Sequence, residues 1–213
     1  MRQALGLDAG NFFLLGHSWG GILALEYALR YPQHLQGLIV SNMMASIPAY
    51  NDYAQRVLMP AMDPAVLAEI QRLEVAQDYT NPRYMELLMR HHYVYHVLRA
   101  PLERWPDAVN RTFKHLNTSV YIPMQGPSEL GASGKLAHWD RMADLPRVRV
   151  PALTIGAQHD TMDPHYMEAM ARALPQGRYL HCPDGSHFAM FDDQQRYFEG
   201  LIGFLRDVDR QSA

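Results

Sequence analysis

Three residues in this chain have the chemistry and the settings for covalent catalysis: Ser18, Asp160 and His187. Ser18 lies in Gly16-His17-Ser18-Trp19-Gly20, and His187 in Asp184-Gly185-Ser186-His187-Phe188-Ala189. A serine hydroxyl is a weak nucleophile at neutral pH and needs a general base within hydrogen-bond reach. The base in turn needs a third group that fixes its tautomer and stabilises its positive charge. Together they would perform acyl transfer, with no cofactor and no metal. The chain has eleven histidines. His187 stands out because it occupies a glycine-containing loop before the last helix. Asp163 precedes Pro164 and suits a helix N-cap, so Asp160 is the better acid. Asp184 is too close to His187 in the chain and fits a turn.

These residues need elements that bring them together. Asn11 to Leu15 reads as a buried strand and Gly21 to Leu29 as a helix. A G-x-S-x-G pattern between strand and helix is the nucleophile elbow of α/β-hydrolases, where small glycines permit a sharp, strained turn. The helix that follows directs its N-terminal N–H groups and positive dipole end at the same spot. Gly37 to Ser41 reads as a second strand, Pro151 to Gly156 as a third and Arg178 to His181 as a fourth. Asp160 and His187 then follow the carboxyl ends of strands, where sites in open α/β sheets collect. The order serine, acid, histidine is that of α/β-hydrolases. The expected fold is α/β, a mostly parallel sheet with an inserted helical cap. Residues 1–41 and 146–213 form the core and 42–145 the cap.

The middle of the chain changes character. Helices are expected over Ala65–Gln77, from Pro82 (with Asn81 as N-cap) to about Arg99, and from Trp105-Pro106-Asp107 to about Leu116. The first strand-like alternation there is Ser119-Val120-Tyr121. Met85 and Met89 are helically spaced and expected in the cap core. His92 and His96 share a helix face, but no H-E-x-x-H glutamate or third ligand accompanies them, so packing is expected and not metal binding. His17 is expected to support the strand or site wall. Arg2 to Leu7 looks like the tail of a helix ending near Gly10, and Asp192 to about Val208 like the last helix.

The 213 residues suffice for one sizeable core with an insertion. Hydrophobic residues make up 48% and charged residues 19%, and the net charge is -3. That balance fits a globular protein and carries no electrostatic footprint for nucleic acid. No apolar run reaches the length of a membrane span. The single cysteine, Cys182, excludes an intrachain disulfide, suits a reducing, cytoplasmic setting and is expected to pack as a small hydrophobe.

Gly16-His17-Ser18-Trp19-Gly20-Gly21 with Leu25-Glu26-Tyr27-Ala28 resembles the elbow of proline iminopeptidases, a branch of α/β-hydrolase serine peptidases. Met124-Gln125-Gly126-Pro127-Ser128-Glu129 resembles that family's cap loop, and Trp139-Asp140 the segment leading back to the core. Gly156 to Pro164 and Gly185-Ser186-His187 resemble its acid and histidine loops. The resemblance covers essentially the whole chain. It implies release of an N-terminal residue, preferably proline, from short peptides or amino-acid amides with a free N-terminus. Ser18 would attack, His187 would shuttle the proton, Asp160 would hold the imidazole and the Trp19 backbone N–H would supply an oxyanion donor. On the residues alone Glu129 is a solvated loop carboxylate; the resemblance makes it the anchor for the substrate's charged amine. Two other readings stay open, an amide hydrolase or esterase on the same scaffold and an inactive remnant.

Two departures from the family pattern matter. Where some members carry a second acidic anchor after the triad aspartate, this chain has Thr161. The family's His-Gly-Gly-Pro-Gly loop, which gives the other oxyanion N–H, has no counterpart here, so the chain looks N-terminally shortened. Loss of that donor would cost on the order of 100- to 1,000-fold in rate. The elbow strand would also lack a neighbour on one side. Poor activity is then expected of the chain alone, with compensation from a second polypeptide, a homo-oligomer or the remainder of a longer protein.

Overall fold

The computed structural model describes residues 1–212. The chain divides into a sheet unit, Met1–Ser46 with the chain from Asp140 onward, and a helical unit, Ile47–Trp139. In the sheet unit an isolated antiparallel bridge pairs Ser46 with Asp140 where the chain leaves and returns, and Ser46 Oγ–H donates to Asp140 Oδ2 at 2.8 Å.

Short apolar runs form the sheet: β1 (Phe13–His17), followed by α1 (Trp19–Arg30), then β2 (Gly37–Ser41), β3 (Ala152–Ala157), α2 (Pro164–Ala173), β4 (Gly177–Cys182) and α3 (Gln194–Ser212). All neighbours are parallel and the order is β1-β2-β3-β4, with β1 at one edge. β2 and β3 are buried throughout, as expected of strands covered on both faces. Ile39, Leu153, Ile155 and Leu180 of the sheet pack with Tyr197, Leu201, Phe204 and Val208 of α3 in one core. α1 packs on β1 and β2, and α2 on β3 and β4. Cys182 is a buried free thiol in that core, pushed up to about 12 by desolvation.

Several elements differ from the expected bounds. Arg2 to Leu7 forms one 3-10 turn, Gln3–Leu5, closed by Gly6 at φ 63°. The side chains of Asn11 and Asp8 then accept backbone N–H groups of Asp8 and Gly10, a local alternative to helix. β1 begins at Phe13 because its register is set by β2, Phe13 opposite Gly37 and His17 opposite Ser41. The last helix is broken: Ala189–Asp192 makes one turn, Asp193 leaves helical geometry, and α3 restarts at Gln194. The Asp192 carboxylate is used elsewhere, accepting the Ser186 N–H at 3.0 Å and its hydroxyl.

In the helical unit, Asp63 and Asn81 cap the helices Pro64–Val75 and Pro82–Leu88, accepting N–H groups of Ala65 and Arg83 at 2.8 and 3.0 Å. The helix expected to run to Arg99 instead widens into a π turn, Met89–Tyr93, and ends at His96. The wide turn puts His92 and Tyr93 inside. The buried face of Pro82–Leu88 is Tyr84, Leu87 and Leu88, and Met85 is exposed, contrary to its expected core place. Asp107–Lys114 is helical. Ser119-Val120-Tyr121 is helix, not strand, within Thr118–Met124. Asn117 starts that helix, and its side chain accepts the Ser119 hydroxyl at 2.6 Å.

Candidate active site

The elbow turns on backbone constraints. Ser18 holds φ 54°, ψ −130°, a region non-glycine residues avoid, which costs on the order of 1–3 kcal/mol. It is pinned there by its own N–H, which donates to the Ser41 carbonyl at 3.0 Å, and by its carbonyl, which accepts from Gly21 N–H at 2.7 Å. The glycines are unequal. A Cβ on Gly16 would run into the Gly20 carbonyl, and one on Gly21 would lie 2.7 Å from Met43 Cβ, whereas one on Gly20 would meet nothing within 4 Å. Gly16 and Gly21 therefore make the turn sterically feasible.

This turn presents Ser18 to the two loops beyond β3 and β4. Ser18 Oγ lies 2.8 Å from His187 Nε2, and His187 Nδ1 lies 2.8 Å from Asp160 Oδ1. With Nδ1–H donated to the carboxylate, Nε2 is the lone-pair nitrogen facing the serine hydroxyl. Asp160 is fully buried and His187 nearly so. Asp160 Oδ1 also accepts the Met162 N–H at 3.1 Å and the Thr161 hydroxyl at 3.3 Å. The acid and histidine loops are laced together by Gln158 N–H to Cys182 O and His159 N–H to Gly185 O, both 3.0 Å. Asp163 caps α2, accepting the His165 N–H at 2.9 Å.

His17 donates from Nε2 to the His187 carbonyl at 2.8 Å and stacks on Phe188. Desolvation and the neighbouring His187 lower its pKa to about 4, so it is a neutral strut at neutral pH. Trp19, the expected oxyanion donor, opens α1 directly after Ser18, so its N–H belongs to the helix's positive end.

Within the helical unit Glu129 is held by four aromatic side chains. Its carbonyl accepts the Tyr50 hydroxyl at 2.8 Å and lies 3.3 Å from His92 Nε2, and its N–H donates to Tyr93 Oη at 3.1 Å. The Tyr121 hydroxyl donates to Oε1, leaving Oε2 without a partner among the described residues. Burial and the adjacent carboxylate raise the Tyr121 phenol, which stays a donor. Gly126 and Gly131, at φ 123° and 106°, turn the loop, and Asn51 holds both the N–H and the carbonyl of Ala132. His92 and His96 have ring centroids 5.0 Å apart, and no group of three or more metal-ligating side chains occurs among the described residues. An open cavity of about 620 Å³ in the same unit is lined by Asn51, Glu74, Tyr79, Ser128 and Leu130 but not by Glu129.

Residues 1–194 match the family model described as alpha/beta hydrolase fold. A proline iminopeptidase of Elizabethkingia meningoseptica is 53% identical over 214 residues, spanning 100% of this chain and 71% of that protein. The chain belongs to the proline iminopeptidase family of α/β hydrolases. The crystal structure of a Mycobacterium smegmatis proline iminopeptidase superimposes with a TM-score of 0.81 at 28% identity, over 100% of this chain and 70% of that one. VinJ superimposes with a TM-score of 0.89 at 30% identity, over 97% and 69%. As a member of this family the protein is a serine hydrolase. Among the described residues no helix is long and apolar enough to cross a membrane.

Two features of the site were not read from the sequence. Thr161, noted only for the charge it lacks, is fully buried with its hydroxyl on the Asp160–His187 pair. Asn42 donates from Nδ2 to Asp160 Oδ2 at 2.7 Å. The available signal was its position: Ser41-Asn42 is a polar pair at the carboxyl end of an otherwise apolar strand, the edge at which α/β sites form.

Proposed function

We propose that this chain is a serine aminopeptidase that releases an N-terminal residue, preferably proline, from short peptides through an acyl-enzyme. The observation that carries this is the unbroken line Ser18 Oγ, His187 Nε2, His187 Nδ1, Asp160 Oδ1, with 2.8 Å at each hydrogen bond. Ser18 Oγ attacks the scissile carbonyl carbon while its proton passes to His187 Nε2. The charge developing on the carbonyl oxygen is received by the Trp19 N–H. The imidazolium, steadied by Asp160, protonates the leaving amine as the C–N bond breaks. A water, deprotonated by His187, then attacks the ester and returns Ser18.

Glu129 is the group we assign to the substrate's protonated α-amine. Its Tyr121-braced carboxylate with a second oxygen available suits a charged donor, and a blocked substrate would leave that pairing unmade. The sheet unit is then the catalytic core and the helical unit carries recognition. A cytoplasmic setting goes with this reading, supported by the free Cys182.

The test uses proline naphthylamide, its N-blocked form and a short acyl ester. Ser18→Ala should abolish turnover and fluorophosphonate labelling, a loss on the order of 10⁴-fold or more. Glu129→Gln should raise KM for the free amine by about 10- to 100-fold and erase discrimination against the blocked substrate. Equal turnover of free and blocked substrates by the unaltered protein would favour an amide hydrolase or esterase on this scaffold.

A further inference from the structure

We propose that Asn42 is a positioning residue of the catalytic machinery: it holds the Asp160 carboxylate aimed at His187. Ser41 and Tyr197 in turn fix the direction of its amide. The proposal rests on the Ser18–His187–Asp160 reading above.

The argument begins with backbone. Asn42 is fully buried and sits at φ 52°, the left-handed region. Asparagine tolerates that region better than most residues, but glycine would occupy it without strain. Its side chain is where the compensation lies. Nδ2 has two protons and meets two acceptors, Asp160 Oδ2 at 2.7 Å and the Ser186 carbonyl at 3.2 Å. One amide group thus holds both the acid and the residue before the catalytic histidine.

The partners also dictate polarity. With both Nδ2 protons committed, the remaining amide atom, Oδ1, must accept, and it receives the Ser41 hydroxyl at 2.8 Å. Ser41 has then used its only proton, so at its 2.9 Å contact with Tyr197 the tyrosine donates. Tyr197 comes from α3 and its phenol is held above its ordinary value by burial, so it remains a donor. The chain of donors runs one way: Tyr197 to Ser41, Ser41 to Asn42, Asn42 to Asp160. Every dipole presents its positive end toward the carboxylate. Asp160 Oδ1 has His187, Met162 and Thr161 as partners, whereas the side chain that meets Oδ2 is Asn42. Without that donor, Oδ2 would be a bare oxygen in a dry site and the carboxylate would be free to turn out of line with His187. A carboxylate turned out of line cannot steady the imidazolium that forms as Ser18 attacks.

Two substitutions test this. Asn42→Gly removes the amide and also the backbone strain. Asn42→Asp keeps the shape and replaces the N–H donor by a carboxyl that can donate only while protonated. The other titratable groups around Asp160 are His187, His17 of β1, and Tyr179 and Cys182 of β4, with Tyr197 at the far end of the chain. His17 titrates near 4, Cys182 near 12, and both tyrosines are raised, so none of these four changes charge between pH 6 and 8.

For Asn42→Gly we expect kcat to fall about 10- to 100-fold, with KM within about twofold, and a lower Tm, because relief of the backbone strain only partly offsets the loss of three buried hydrogen bonds. For Asn42→Asp we expect kcat relative to the unaltered protein to be higher at pH 6 than at pH 8, since the introduced carboxyl donates only at the lower pH. An Asn42→Gly kcat within about threefold of the unaltered protein overturns the proposal. So does a loss that tracks a lowered Tm in both variants with no pH dependence in Asn42→Asp, because Asn42 would then serve packing alone. Ser18→Ala is the control for the underlying reading: if it keeps turnover, the triad fails, whereas a dead Ser18→Ala beside a fully active Asn42→Gly overturns only the role of Asn42.

Discussion

In the sheet unit the reactive side chains hang from the carboxyl ends of strands, whereas in the helical unit Glu129 hangs from a loop braced by tyrosines. The two regions satisfy buried polar groups differently. Asp160 is met on both oxygens, by a backbone N–H and three side chains counted through His187, Thr161 and Asn42. Glu129 has its backbone fixed by Tyr50, Tyr93 and His92, and among the described residues its carboxylate is hydrogen-bonded by Tyr121 only. A carboxylate saturated with donors can orient a neighbour but has no capacity left for a ligand. A carboxylate with an open oxygen can bind one. In the function proposed above, the same residue chemistry serves opposite tasks according to how completely it is hydrogen-bonded.

The largest effect that could break this comparison comes from Asp160→Asn. It preserves shape but turns the partner of His187 Nδ1 from an acceptor into an amide, which favours the wrong imidazole tautomer. We expect kcat to drop on the order of 10⁴-fold with KM little changed, measured by steady-state kinetics on proline naphthylamide. A change confined to KM would place Asp160 among the binding groups and erase the distinction from Glu129.

Legibility followed the same division. The first three strands were readable because each is a short apolar run, and Asn81 and Asp163 were readable as caps because proline follows each. In the helical unit the bounds slipped where a π turn replaces α geometry at Met89–Tyr93, a change in turn width that no residue pattern announces. Ser119 to Tyr121 alternates like a strand, yet it lies within the helix Thr118–Met124. Of the site, Ser18, Asp160 and His187 carry local signatures, but Asn42 does not. Its partners, Asp160, Ser186 and (through Ser41) Tyr197, are all distant in the chain, so its role exists only in the folded state.

A second comparison sets His17 against His92, one in each unit, both lowered to about 4 by burial first and a neighbouring histidine second. His17 has its ring bonded to the His187 carbonyl, while His92 Nδ1 is buried with no partner among the described residues. Because the folded pKa lies below the unfolded value of about 6.5, only the unfolded chain takes up the proton as pH falls from 6.5 toward 4. Stability is therefore full above that window and lost on descending through it. For the fully buried His92 the loss is about 3 kcal/mol at most. Urea unfolding at pH 7.5 and 4.5 should show a smaller pH difference for His92→Phe than for the unaltered protein. An identical difference would mean that the His92 ring is solvated when the chain is folded.

The smallest effect separates two glycines that a motif treats alike. Gly20 and Gly21 are adjacent in the first turn of α1, but only Gly21 faces Met43 at 2.7 Å from a hypothetical Cβ. Gly21→Ala should force Met43 to move and cost about 1–3 kcal/mol. Gly20→Ala should meet no obstacle and, by restricting the unfolded chain and favouring helix, stabilise by about 0.5–1 kcal/mol. The urea midpoint should therefore fall for the first and rise for the second. Destabilisation by Gly20→Ala would show that the elbow depends on backbone freedom at that position and not on space alone. Gly16, whose Cβ would strike the backbone of Gly20, sets the other limit, since neither partner in that contact has a side chain that can yield.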